Sequence, residues 1–441
     1  MNTSSPLPPQ TFGARLLRIG PGMLLAAAAI GSGELILTPR AGALYGLSVG
    51  WVILVSILYK LALTLGLARY TIATGEDIFE GFSHLPGPRN WFVGVLVAVF
   101  LLGAVGYSGI ALACGSALFA LCPALSMIQW AVLVVGAVFL LLLRGAYGAV
   151  EKVAFALALT LIAGVLYSLA VLNPAWSWVV HESVPRMPPG SGQTLISLLG
   201  WTAGGVSTLI YSFWILEKGY AIPRGDLAVE TDGCRSKEDF QQWLSVARMD
   251  ALLSYAMMMV VSLAFLAIGS ITLGTAGPDG GPLVPSREET TSVLSRMLTE
   301  AAGPRARYIF LVAALAILSS TVLGCVDGKA RGLRTAVHLI APRSRRWSDP
   351  AWYRLGISLL CLIIFALLFT GEPVVLIMLT SALEAPVLSL SAVMLVYLLH
   401  TRLPREYRPG VAWHIVIVAG TVTYFALSIQ ALVTTIAGFR T

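Results

Sequence analysis

Charge is scarce in this chain. Only 12% of its 441 residues are Asp, Glu, Lys or Arg, against about a quarter in a soluble globular domain. Residues 91–122 hold no charged side chain, and neither do residues 153–180. Uncharged apolar runs of about 18 residues or more read as membrane spans. Their recurrence along the whole chain excludes a soluble protein with a few buried core helices. Cysteine is scarce as well. Cys114, Cys122, Cys234, Cys325 and Cys361 are scattered, form no Cys-x-x-Cys pair and mostly lie in the apolar runs. A disulfide framework or a cysteine-held metal is not expected, and small apolar filler is the default reading. No nucleophile, metal or cofactor motif occurs at recognisable spacing, so the expectation is neither an enzyme nor a cofactor protein. The first ten residues are polar and Pro-rich and lack a signal-peptide core.

The apolar runs resolve into eleven spans, each near the roughly 20 residues a bilayer needs. They cover about 14–44, 48–72, 91–122, 127–144, 150–172, 192–220, 244–274, 306–329, 352–371, 373–400 and 411–437. A net charge of +7 would suggest nucleic acid in a soluble chain. Here the positive-inside rule accounts for it, and no nucleic-acid partner is expected. With the N-terminus inside, most basic residues fall in cytoplasmic loops, among them Arg343, Arg345 and Arg346. The expectation is an integral protein of the plasma (inner) membrane, N-terminus cytoplasmic and C-terminus outside, whose partner is the lipid bilayer. Nothing in the sequence bears on oligomeric state.

Two spans are interrupted at comparable places. The first carries Gly20-Pro21-Gly22 and then Gly31-Ser32-Gly33-Glu34; the sixth carries Trp201-Thr202-Ala203-Gly204-Gly205-Val206-Ser207-Thr208. Each interior glycine costs a helix about 1 kcal/mol relative to alanine. In a membrane, unwound backbone is tolerated only where it is buried in protein or lines a cavity. Breaks five spans apart point to a transporter of two five-helix inverted repeats with its site between them. Close helix packing by small residues is the simpler alternative.

Further residues then carry a resemblance. Gly20-Pro21-Gly22, Gly31 to Glu34, Ala41-Gly42-Ala43, Tyr45-Gly46, Ser48 and Trp51-Val52 resemble the first helices of NRAMP divalent-metal transporters. Ala68-Arg69 and Ile72-Ala73-Thr74-Gly75-Glu76-Asp77 extend the likeness. It implies an all-α LeuT-type fold: 1–13 a disordered tail, 14–172 the first repeat (helices one to five), 173–191 an outer loop, 192–400 the second repeat (helices six to ten), and 401–441 an eleventh helix with the C-terminus. The departures are as informative. Where the family has an Asp and an Asn on the first break, this chain reads Gly31 and Glu34. The soft Met of the sixth-helix break is replaced by the Gly204-Gly205 stretch, and Trp201 would fill much of the ion cavity. The family's third-helix acids align with Gly109 and Leu112, and its sixth-helix histidines with Val206 and Tyr211. Transition-metal specificity and proton coupling are therefore not implied.

Ionisable groups inside spans are expensive and mark functional sites with a partner to be named. Glu34 stands where a half-helix begins, and either binds an ion directly, as the one expected metal ligand, or caps that half-helix. Arg40 reads as a salt bridge or a snorkelled charge. Lys60, in the second span, must pair or lose its proton; Glu34 and Glu384 are its expected partners. It is either a tethered cation standing in for a coupling ion or half of a structural pair. Glu384 lies on the tenth span, with Pro386 expected to loosen the backbone beside it. Asp327-Gly328-Lys329 reads as a cytoplasmic exit from the eighth span. The expected substrate site is thus Gly31, Ser32, Gly33, Glu34, Trp201, Thr202, Gly204, Gly205, Ser207, Thr208 and Glu384, with Lys60 and Arg40 as charges. Its oxygens suit a hard divalent cation. Its free amides and two basic residues suit a small anion such as bicarbonate. A third reading is a membrane sensor or scaffold that no longer transports.

Overall fold

The computed structural model describes residues 11, 13, 15, 20–22, 25–26, 31, 33–145, 147–221, 237–277, 279–284 and 290–438. Secondary structure there is helical throughout. A π-helical turn, Gly33–Leu37, leads into α1, Thr38–Tyr45. Gly46, at φ +66°, then turns the chain into α2, Gly50–Thr74. The left-handed region suits glycine because it lacks a Cβ. α3 is Trp91–Leu121, α4 Met127–Arg144 and α5 Tyr147–Leu172. α4 begins at a reciprocal Ser126–Gln129 capping box, which satisfies two otherwise free backbone donors.

The sixth span is two helices, α6 (Gly192–Trp201) and α7 (Tyr211–Glu217). Between them Ala203, Gly204 and Gly205 leave helical geometry, at φ +58°, +98° and +55°. Then follow α8 (Lys237–Leu273), α9 (Ala306–Ile340), α10 (Asp349–Leu367), α11 (Pro373–Thr401) and α12 (Val411–Gly438).

Among the described residues nine helical stretches are long and apolar enough to cross a bilayer, and Leu159–Leu172 with Trp176–Glu182 forms one further bent pair. Gly33–Thr74 contains the end of the first expected span and all of the second, so spans two to eleven have counterparts among the described residues, and much of the first lies outside them. Three expectations are corrected. α8 starts before 244 because Phe240 and Trp243 bury a face ahead of the apolar run. α9 does not leave the protein at Lys329; Ala330, Leu333 and Ala336 continue its buried face, and the helix runs to Ile340. Pro386 lies inside α11 without interrupting it.

α6 and α7 are almost wholly enclosed, whereas α4, α10 and α12 face outward with rows of exposed leucine, isoleucine and valine. α1 packs along α8, α3 along α9 and α11, and α6 along α11. The chain is an integral membrane protein: its apolar periphery suits lipid, and its polar side chains are gathered around the broken sixth span.

Candidate functional site

Glu34 is fully buried in the π-turn. Its Oε1 accepts from the Ala203 amide at 2.8 Å and from Ser262 Oγ at 3.4 Å, tying the first span to the break in the sixth and to α8. Its Oε2 has no hydrogen-bond partner among the described residues, and neither does the buried Thr202 hydroxyl beside Ala203. An unpartnered buried carboxylate oxygen is costly, and rare enough to require a reason.

Lys60, on α2, was expected to pair with Glu34 or Glu384. Instead its Nζ donates to the carbonyls of Leu199 (2.9 Å), Gly200 (3.1 Å) and Thr202. α6 ends at Trp201, and the last carbonyls of a helix lack intrahelical donors and carry its negative pole. The ammonium, with three N–H donors, meets that need.

Glu384 has a different lysine. Its Oε1 accepts from Lys329 Nζ at 3.1 Å, and its Oε2 from Trp201 Nε1 at 3.1 Å and the Val206 amide at 3.3 Å. Lys329 is wholly buried and also faces the rings of Phe100 and Tyr107. The residue expected at a cytoplasmic exit is a central charge. Glycine makes the room: a Cβ on Gly103 would lie 2.1 Å from Lys329 Nζ, and one on Gly205 would lie 2.6 Å from Glu384 Oε2. Two glutamates and two lysines, if all are ionised, cancel.

Of the other expected residues, Gly31 is buried against Thr321 of α9, Gly33 lies against the Trp201 carbonyl, and Gly204 lies in the break. Ser207 and Thr208 are buried just beyond it. Ser32 is outside the described residues. Arg40 is half-buried and makes no ion pair to a described residue; it does not join the centre.

The sequence reading overlooked three further groups. Cys325 of α9, taken as filler, brings its Sγ to 3.8 Å from Ser207 Oγ, so a soft atom stands beside the break after all. Tyr107 stacks at a tilt against Trp201. Asp250 of α8, fully buried, accepts from the amides of Gly20 (3.1 Å) and Gly22 (2.5 Å) and from Tyr211 OH (2.9 Å). The available signals were an Asp inside an apolar span, and the Asp327–Arg331 spacing of four, which marks continuing helix and places an ion pair at 3.0 Å. Among the described residues no three of His, Cys, Asp and Glu gather closely enough to hold a metal ion. A bound cation here would take most of its oxygens from backbone and hydroxyl groups.

A membrane bundle with its polar centre at the broken sixth span, tied to the start of the first helix, defines a LeuT-type fold. A manganese transporter from Eremococcus coleocola shares it with a TM-score of 0.65 at 17% identity, over 99% of this chain and 91% of that one. Mhp1, a nucleobase-cation-symport-1 family transporter, follows at 0.57 and 16%, over 98% and 95%. Residues 22–434 match the family model described as natural resistance-associated macrophage protein-like, and the chain belongs to that family. The divalent metal cation transporter MntH of Klebsiella pneumoniae subsp. pneumoniae is 26% identical over 352 residues, 78% of this chain and 76% of that one.

Proposed function

We propose that the protein is a secondary transporter that carries a hard divalent metal cation by alternating access, bound between the breaks of the first and sixth spans. The observation that carries this reading is Glu34 Oε2, a buried carboxylate oxygen with no partner among the described residues; the buried hydroxyl of Thr202, the residue before the Ala203 amide that Glu34 Oε1 accepts from, also has none among them. Carboxylate, hydroxyl and carbonyl oxygens are the ligands that magnesium, calcium and manganese accept. The relatives named for divalent-metal and manganese transport support the same class. Cys325 beside Ser207 adds one soft atom, too few to favour cadmium or iron over the hard ions.

Glu34→Gln should abolish uptake of magnesium, calcium or manganese into proteoliposomes while the protein still folds. Undiminished uptake of all three would defeat the reading, as would selective tight binding of cadmium or iron. One observation favours a second reading. Lys329, the Trp201 indole and the Val206 amide together hold one carboxylate, and the same three donors suit a small oxyanion such as bicarbonate. If an anion is carried, Glu34→Gln retains substrate binding and Lys329→Met, which removes one of those three donors, loses it. The positive-inside pattern supports a plasma (inner) membrane protein with its N-terminus in the cytoplasm and C-terminus outside.

A further inference from the structure

The end of α6 and the start of the break form a small cage of carbonyls. The oxygens of Leu199, Gly200 and Thr202 converge on one point, and Lys60 Nζ occupies it, one N–H to each. Lys60 is fully buried, so no water competes for its protons. The Ser56 and Tyr424 hydroxyls also donate to the Leu199 carbonyl, at 3.2 and 2.8 Å, and hold that wall of the cage in place. Convergent carbonyls in a dry interior are how proteins strip and hold a monovalent cation. The negative pole of α6 adds to the same field.

We infer that this cage is a monovalent-cation site permanently filled by the chain's own Lys60 ammonium. Because the charge is tethered to α2, it cannot leave with the substrate. The protein therefore needs no dissolved monovalent cation at this position, whichever ion it carries. The lysine spans 2.9–3.1 Å to the two carbonyls farther from it, a spacing set by an ammonium nitrogen. Ions of that size, ammonium, methylammonium and potassium, are the ones that should replace it; lithium is too small.

Lys60→Ala tests this, because it empties the cage and leaves space for a free ion. The purified variant in N-methylglucamine chloride should melt several degrees below the wild type. Ammonium, methylammonium or potassium chloride at equal ionic strength should restore most of the loss, saturably, since an ion that binds only the folded state stabilises it by mass action. Lithium chloride should not. Equal melting in all five salts would overturn the inference and leave Lys60 as a plain helix cap. Should the variant yield no folded protein, the wild type still decides. Its melting should be the same in N-methylglucamine and potassium chloride, and specific stabilisation by potassium would mean that the cage is not already filled.

Discussion

Lys329 and Glu384 form an ion pair with side-chain exposures of 0% and 4%. Removing one partner of such a pair strands the other charge in a low-dielectric interior, at a cost of about 3–5 kcal/mol. Lys329→Met should therefore lower the thermal midpoint sharply. The double variant Lys329→Met/Glu384→Gln should recover much of the loss, because the stranded charge is gone. Equal losses in single and double variants would show that packing around Phe100 and Tyr107, rather than charge, is what Lys329 provides. Glu384 was legible in the sequence as an intramembrane acid. Its partner was not, because which lysine it meets depends on how α9 lies against α11.

At the level of elements, the break between α6 and α7 organises the centre. It opens amides toward Glu34 and Glu384 and carbonyls toward Lys60. Gly205 holds φ +55° and ψ −145°, a region nearly closed to other residues, where strain amounts to about 1–3 kcal/mol. A Cβ there would also press on Glu384. Gly205→Ala should thus lower stability by at least that strain and weaken substrate binding. Gly94→Ala is the matched control: it lies inside α3 with nothing within 4 Å of a new Cβ. There alanine should be neutral or stabilising by about 0.5–1 kcal/mol. Thermal unfolding of both variants checks the pair, and equal effects would contradict the role given to the break. Glycine and polar residues inside an apolar run announced this break; which of its amides and carbonyls Glu34, Lys60 and Glu384 would meet left no local mark.

For the whole molecule, the proposed orientation places the end of α3 outside and the link between α11 and α12 inside. Cys122 is exposed at the first of these ends. A membrane-impermeant maleimide should label it on intact cells. In a Cys122→Ser background, Arg405→Cys should label only after permeabilisation. The reverse pattern would invert the topology.

What the sequence determined by itself is the class of solution: a helical membrane bundle whose sixth span is broken. Hydrophobic length and interior glycines are local properties that lipid makes decisive. Glu34, Lys60 and Glu384 stood out for the same reason, as charges where charge is expensive. Only the tertiary structure decided the pairing. Lys60 turned from carboxylates to carbonyls because α6 ends beside it, and Lys329 came inside because α9 keeps a buried face past Gly328. Cys325 and Asp250 entered the picture by the same route, each carried to its contact by a helix distant in sequence. Partner choice among buried charges depends on distances of a few ångströms between such helices, and no local pattern encodes them.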